Sequence, residues 1–385
     1  MRSRESRGAS SQRPRIAVLA DSPDEAWPSM DLVAEMLVGE WRTGLAPEVE
    51  TEKIEVALPC IARRASSSGP AFSVDRVLGR FGSYPIAAFA RRDQFDFFHV
   101  ADHSYAQLVH ALPAPRTGVY VHDLDAFRSL LDPKREPRSL AFRAMMRIVL
   151  AGVRRARVVF HSTHEMGRRL ERIVPARRLV YAPYGIAAEY TRNFEPDDGA
   201  DEALASLNGA PFVLHVGSAI PRKRLDVLFD VYARLRENLP TLKLVQQGGA
   251  LTSEQKDQIR RLRIDVLQPP RLPRKTLAGM YRRASAVLLP SDAEGFGLPV
   301  IEALACGAPV VASDIATTRE AGGDVTAFVP VGDVAAWVDA TTRAMADSHD
   351  EQARERRIAH ARTFTWRAHA QIILDAYRAL GPMTP

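Results

Sequence analysis

The sequence predicts an α/β protein of two Rossmann-like, doubly wound parallel-sheet domains, and three observations predict it. The chain has 385 residues, more than one ordinary open-sheet domain needs and enough for two. Short apolar runs alternate with helix-like stretches, which sets strands parallel with helices on both faces. The alternation stops at an acidic stretch punctuated by Pro and Gly, near 193–211, and then restarts.

In chain order, residues 1–13 are polar and basic and are expected to form a disordered tail without the apolar centre of a signal peptide. A first domain is expected over 14–195, with strands at RIAVLA, FDFFHVAD, GVYVHD, RVVFHS and LVYAPYG. Ser29 is placed to cap a helix whose buried stripe runs through Met30, Leu32, Val33, Met36 and Leu37. A second domain is expected over 205–364, with strands at FVLHVGS, LKLVQQGG, AVLLPS and PVVASD. Residues 365–385 read as a closing helix that returns to the first domain, with Trp366, Ile372, Ile373, Ala376 and Tyr377 at helical spacing.

Composition narrows the function classes. Apolar residues make up 46% and charged residues 25%, a balance that excludes a disordered chain. Cys60 and Cys306 form no CxxC pair or metal cluster, which fits a reducing, cytoplasmic compartment. No run approaches the length of a spanning helix. The net charge of +6 favours anionic ligands or an anionic membrane surface, although arginines that merely solvate helix faces explain it equally well. The stretch AFRAMMRIVLAGVRRARV has two readings: an interfacial helix at the inner face of the membrane, or a helix packing its apolar stripe on the sheet. No nucleic-acid motif is present.

The chemistry concentrates in PSDAEGFGLPVIEALACGAPVVASD, between two strand signals. Its loop falls at a strand's carboxyl end, where open α/β sheets bind ligands. Gly295 and Gly297 allow close backbone approach, and the helix opened by Pro299 presents unpaired N–H groups to an anion. Glu294 projects from the loop and Glu302 lies one turn into the helix, two carboxylates able to accept from sugar and ribose hydroxyls around a diphosphate. Taken singly, each could instead be a solvated helix charge. Arg222, Lys223 and Arg224 cluster at the start of another helix, unfavourably for its dipole unless an anion is present.

Together VGSAIPRK, LVQQGGALT, the block YRRASAVLLPSDAEGFGLPVIEALACGAPVVASD and the terminal FTW helix resemble family 4 retaining glycosyltransferases of the GT-B fold. The resemblance covers nearly all of the second domain, and its Glu-x7-Glu element is highly specific. Weaker similarity runs through FFHVADHSYAQLVHALP, VYVHDLDAF and APYGI. It implies two domains facing across a cleft, the second holding a UDP- or GDP-linked sugar donor and the first an acceptor hydroxyl on a glycan, lipid or small molecule.

Residue by residue, the resemblance implies that Glu302 binds ribose and that Glu294 contacts the donor sugar and supports its developing positive charge. Gly295, Phe296, Gly297 and Leu298 match the loop whose backbone meets phosphate and sugar. Arg222 and Lys223 match the pair that grips the diphosphate, with Gly217 and Ser218 as further donor positions, and His122 approaches the anomeric centre. Retention needs no enzymic nucleophile, because the donor phosphate can act as base; neither a metal nor another cofactor is implied. On the acceptor side the candidates are Asp102, His103 and Ser29, with His99 at the same strand end.

The chain departs from the family pattern twice. Where many members carry paired glycines after the first strand, it reads ADSPDEAWPSMD, and Ser218 stands in place of the usual arginine. Rival readings are the same architecture used for phosphorolysis or epimerisation, and a catalytically silent nucleotide-sugar-binding protein. A dinucleotide fingerprint fails because Val300 occupies its third glycine position. His161 and His164 have no third metal ligand nearby in sequence.

Overall fold

The computed structural model describes residues 13–25, 28–46, 49–61, 69–193 and 198–381; the expected basic tail, up to residue 12, lies outside them. The chain forms two compact units. Unit 1 takes the chain up to Ser162, Met166–Ala182 and everything from Trp366 onward, while unit 2 takes Thr163–Glu165 and Pro183–Thr365.

Unit 1 is built on six strands, β1 (Arg15–Leu19), β2 (Glu50–Ile54), β3 (Phe97–Val100), β4 (Thr117–Val121), β5 (Val158–His161) and β6 (Leu179–Tyr181). They pair in the order β2-β1-β3-β4-β5-β6, every pairing parallel. The central strands β3, β4 and β5 are buried along their whole length, as strands covered on both faces must be. β2, which reads ETEKI, escapes sequence reading because it is an edge strand whose charges face water.

The helix after β1 spans Pro28–Glu40, so Ser29 lies inside its first turn and does not cap it. Its buried positions are Leu32, Val33, Ala34, Leu37 and Val38, whereas Met30 and Met36 are only partly covered. The helix Leu140–Arg155 buries Val149, Leu150, Gly152 and Val153. An added Cβ at Gly152 would overlap the Ala106 carbonyl oxygen. The carboxyl-terminal half of that stripe is occupied by packing within unit 1, while Leu140 and Ile148 are exposed.

The closing helix Trp366–Arg378 packs on unit 1. The Trp41 indole donates to the Ala370 carbonyl at 3.0 Å, and the Tyr377 hydroxyl donates to the Phe98 carbonyl at 3.1 Å. The Tyr377 oxygen accepts from His99 Nδ1 at 2.9 Å. His99 is fully buried among Tyr120, Phe160 and Tyr377, and burial pushes its imidazole down to about 3. It is a neutral core residue, not part of an acceptor surface.

Unit 2 repeats the plan with β7 (Phe212–Val216), β8 (Lys243–Gln247), β9 (Val266–Leu267), β10 (Ala286–Leu289), β11 (Val310–Ser313) and β12 (Ala327–Val329). Their order is β12-β11-β10-β7-β8-β9, again all parallel. The stretch near 193–211 is not a bare connection where it is described. Asp198 is buried and accepts from Arg282 at 3.0 Å and Arg283 at 2.9 Å, and short helices follow at Ala200–Ala203 and Ala205–Leu207. Among the described residues no helix is long and apolar enough to cross a membrane.

Both strand orders share one consequence. The first strand of each unit is flanked on its two sides by strands reached through crossovers to opposite sides, so the order of strand addition reverses between β1 and β3 and between β7 and β10. At such reversals the loops leaving neighbouring strands diverge and open a crevice at the carboxyl edge.

Candidate active site

Two loops leave the reversal point of unit 2. The loop after β7 turns through Pro221–Lys223, and Arg224 adopts a left-handed backbone with φ 49° before the helix Leu225–Asn238 begins. Arg222, Lys223 and Arg224 thus precede the helix and do not form its first turn. The loop after β10 runs into Gly297, whose φ of 97° suits glycine, and then into the helix Leu298–Ala305. The two loops are stitched together by the Asp292 amide, which donates to the Arg222 carbonyl at 2.8 Å.

Glu294 is the centre of this junction. Its carboxylate accepts from Lys223 Nζ at 2.7 and 2.9 Å and lies 3.5 Å from the Arg222 guanidinium, which also donates to the Ala293 carbonyl at 2.8 Å. The Glu294 and Lys223 side chains are each only 9% exposed. Burial by itself would raise the Glu294 pKa, but Lys223, with Arg222 behind it, outweighs that and holds the carboxyl below its ordinary value. Arg224 is committed elsewhere, to Asp226 at 2.9 Å and Asp292 at 3.0 Å. Two cations therefore meet one carboxylate at Glu294, while Arg224 and its two more exposed carboxylates form a separate group.

Glu302 sits in a different electrostatic setting. It is buried on the helix Leu298–Ala305 with no ion pair among the described residues, and its Oε2 accepts from the Tyr281 hydroxyl at 3.1 Å. Burial pushes its carboxyl up to about 7, against the opposing help of Tyr281 and Tyr190. Sequence reading missed both tyrosines, since nothing in spacing links positions 190 and 281 to 302.

The remaining donor-side candidates divide clearly. Gly217 follows β7, and its carbonyl accepts from Gln246 Nε2 at 2.9 Å. Ser218 is exposed beside it, and Gly295 and Leu298 are half-buried in the loop. The Phe296 side chain is buried edge-on against Tyr184 and Phe364, so only its backbone is presented. Beneath Gly217 lies His215, fully buried, whose Nδ1 donates to the Leu288 carbonyl at 2.8 Å. Burial lowers its imidazole to about 4. A Cβ at Gly248 would overlap the Gly217 carbonyl oxygen. Gly248→Ala is accordingly expected to cost roughly 1–3 kcal/mol by overpacking, measured by denaturant unfolding, and to weaken nucleotide binding by shifting the β7 loop.

The other candidates belong to unit 1. His122, at the end of β4, stacks on Tyr120 with centroids 4.9 Å apart, and its Nε2 donates to the Ala101 carbonyl at 2.7 Å. Burial lowers its pKa and so favours the neutral imidazole. Asp102 and His103 follow β3, with His103 Nδ1 3.2 Å from Asp102 Oδ1. Of Ser29 only its place in the first turn of its helix is described.

Residues 199–364 match the family of glycosyl transferases group 1. The chain carries a glycosyl transferases group 1 domain. Curated relatives agree: the D-inositol 3-phosphate glycosyltransferase of Frankia alni is 35% identical over 227 residues, covering 54% of each chain. That of Actinosynnema mirum is 36% identical over 222 residues, covering 53% of this chain and 52% of its own. The chain thus aligns with about half the length of these relatives. Among solved structures, sucrose-phosphate synthase from Thermosynechococcus elongatus superposes with a TM-score of 0.71 at 20% identity, covering 96% of this chain and 99% of that one. Anabaena HepE in complex with UDP-glucose gives 0.64 at 16%, covering 94% and 98%. The group 1 domain and unit 1 together therefore have the GT-B fold of two Rossmann-like parallel-sheet domains. Glu294, Lys223, Arg222 and Glu302 all lie within the matched segment.

Proposed function

We propose that the protein transfers a hexosyl unit from a UDP- or GDP-linked sugar to an acceptor hydroxyl with retention at the anomeric carbon. The observation that carries this reading is the buried Glu294–Lys223 pair with Arg222 at the reversal point of the group 1 domain. A diphosphate arriving there meets Arg222 and Lys223, both directed at the single carboxylate of Glu294, together with the amino end of the helix Leu298–Ala305. Lys223 and Arg222 then stabilise charge on the departing diphosphate, which is worth most in the transition state. Glu294, held ionised, is suited to a sugar ring that becomes positive as the leaving group departs. Glu302 accepts from ribose hydroxyls, and His122, neutral, offers hydrogen bonding rather than acid catalysis. The names of the relatives support a transferase, and the solved complex of HepE with UDP-glucose supports a nucleotide-sugar donor.

The test is release of nucleoside diphosphate from a panel of UDP- and GDP-sugars, with the product's anomeric configuration read by NMR. Retained configuration with a transferred sugar supports the reading. Nucleotide binding without turnover would favour a silent binding protein, and inverted product would exclude the proposed chemistry. Arg222→Ala is expected to lower kcat/KM by about tenfold to a hundredfold, because one of two charge-stabilising donors is lost; steady-state kinetics with the working donor measures it.

A further inference from the structure

We propose that the carboxyl edge of the unit 1 sheet, between β1 and β3, binds uncharged polyol hydroxyls through Asp21, Ser22 and His103, and turns phosphate esters away. The inference deepens the transfer reading by naming the acceptor class, and it rests on that reading. The place is the reversal point of the unit 1 sheet, equivalent in topology to the donor junction of unit 2. It is also where the loop ADSPDEAWPSMD lacks the glycines that the family resemblance led one to expect.

Asp21 and Ser22 follow β1, and Asp102 and His103 follow β3. Asp21, Ser22 and His103 are 3%, 1% and 4% exposed. Asp21 Oδ2 and Ser22 Oγ are buried without a hydrogen-bond partner among the described residues, and His103 Nε2, also without one, lies 3.7 Å from Asp123 Oδ1. Two unsatisfied oxygens on one loop, beside an imidazole N–H held only by a long ion pair, are costly to leave unfilled. By contrast Asp102 is fully engaged, accepting from the Ser104 amide at 2.7 Å, from its hydroxyl at 2.9 Å, from His103 and from the Asp21 carboxyl.

The chemistry of these atoms suits hydroxyl groups. Burial, and after it the neighbouring Asp102 carboxylate, pushes the Asp21 carboxyl far up, so it keeps a proton. With its proton shared with Asp102, Asp21 presents Oδ2 as an acceptor, and the Ser22 hydroxyl can donate and accept, so the two match a sugar hydroxyl. A phosphate finds no such match. The charged groups acting on the cluster are Arg80, Glu25, Asp102, His103, Asp123 and Asp125. Arg80 is bound through two nitrogens to Glu25, and His103 is held between Asp102 and Asp123, 3.7 Å from the latter. Asp125 is paired with Arg128 at 2.8 Å. Among the described residues no cation is left over for a dianion, and the surplus carboxylate of the Asp102–His103–Asp123 group repels one.

The experiment uses the full chain saturated with UDP and, separately, with GDP. Saturation-transfer NMR compares glucose, mannose, N-acetylglucosamine and myo-inositol with glucose 6-phosphate, mannose 6-phosphate and inositol 3-phosphate. Wild type is expected to bind at least one unphosphorylated polyol, and its phosphate ester at least about tenfold more weakly because of like-charge repulsion. Ser22→Ala and Asp21→Asn should each weaken polyol binding severalfold while thermal stabilisation by nucleotide is unchanged. Equal or tighter binding of the esters overturns the proposal. So does absence of any polyol binding when nucleotide stabilisation is present, whereas absence of nucleotide stabilisation strikes instead at the donor reading of unit 2.

Discussion

Replacing Glu294 by Gln is expected to lower sugar transfer by at least about a hundredfold, the scale on which one aimed electrostatic group acts in a preorganised site. The same change is expected to destabilise the fold, because Lys223, 7% exposed, would keep its charge and lose the carboxylate that binds it at 2.7 Å. Breaking a buried pair from one side costs roughly 3–5 kcal/mol. Activity loss by unfolding and activity loss by missing chemistry would then be confounded. The double variant Glu294→Gln with Lys223→Met separates them. Removing both charges relieves the unpaired ammonium, so denaturant stability should return most of the way to wild type, while transfer stays absent. A double variant that regained transfer would show that Glu294 only neutralises Lys223. Additivity of the two single destabilisations would show that the pair is not coupled.

The sequence made the donor junction legible because its two halves are loops with strong local signals. Pro, Gly and Glu cluster after β10, and the basic run follows β7 in a stretch of otherwise apolar residues. Strand alternation in the two halves was equally clear wherever a strand is covered on both faces. The three missed strands, β2, β9 and β12, are edge or very short strands, whose residues need not be apolar because one side faces water. The partners of Glu302 and of the Asp21 cluster were illegible for another reason. Tyr190 and Tyr281 are apolar-looking members of buried stretches, and only the tertiary fold brings each beside Glu302. Asp21 and Ser22 were seen, but as a departure from a glycine pattern. Their meaning depends on β1 and β3 being neighbours, which no local pattern states. Arg222 and Lys223 were placed at the start of a helix that begins only at Leu225, since the left-handed Arg224 that delays it has no Gly or Asn to announce it.

Glu302 carries the second large expectation, a dependence on pH in both stability and binding. Its carboxyl lies at about 7 in the folded chain against an ordinary 4.5, so folding favours the protonated form. The stabilisation is complete below about pH 4.5, is lost as pH rises to about 7, and changes no further above that. At about 1.4 kcal/mol for each tenfold change in proton affinity, the loss is about 3 kcal/mol. Glu302→Gln mimics the protonated side chain, so its stability relative to wild type should grow across this window and level off near pH 7, as measured by urea unfolding at each pH.

Donor binding should move in the opposite sense. Ribose hydroxyls donate to the ionised carboxylate, and below pH 7 they compete with a proton for it. Affinity for the nucleotide sugar that supports turnover is therefore expected to rise from pH 6 to pH 8, approaching tenfold per pH unit at the acid end. In Glu302→Gln it should be weak and nearly flat. A sugar nucleotide is the proper probe because its own diphosphate stays ionised across that range, so the carboxyl is the titrating partner. Affinity in wild type that does not change between pH 6 and 8 would remove Glu302 from the ribose site. The stability curve would then be left as a property of a buried carboxyl held by two tyrosines.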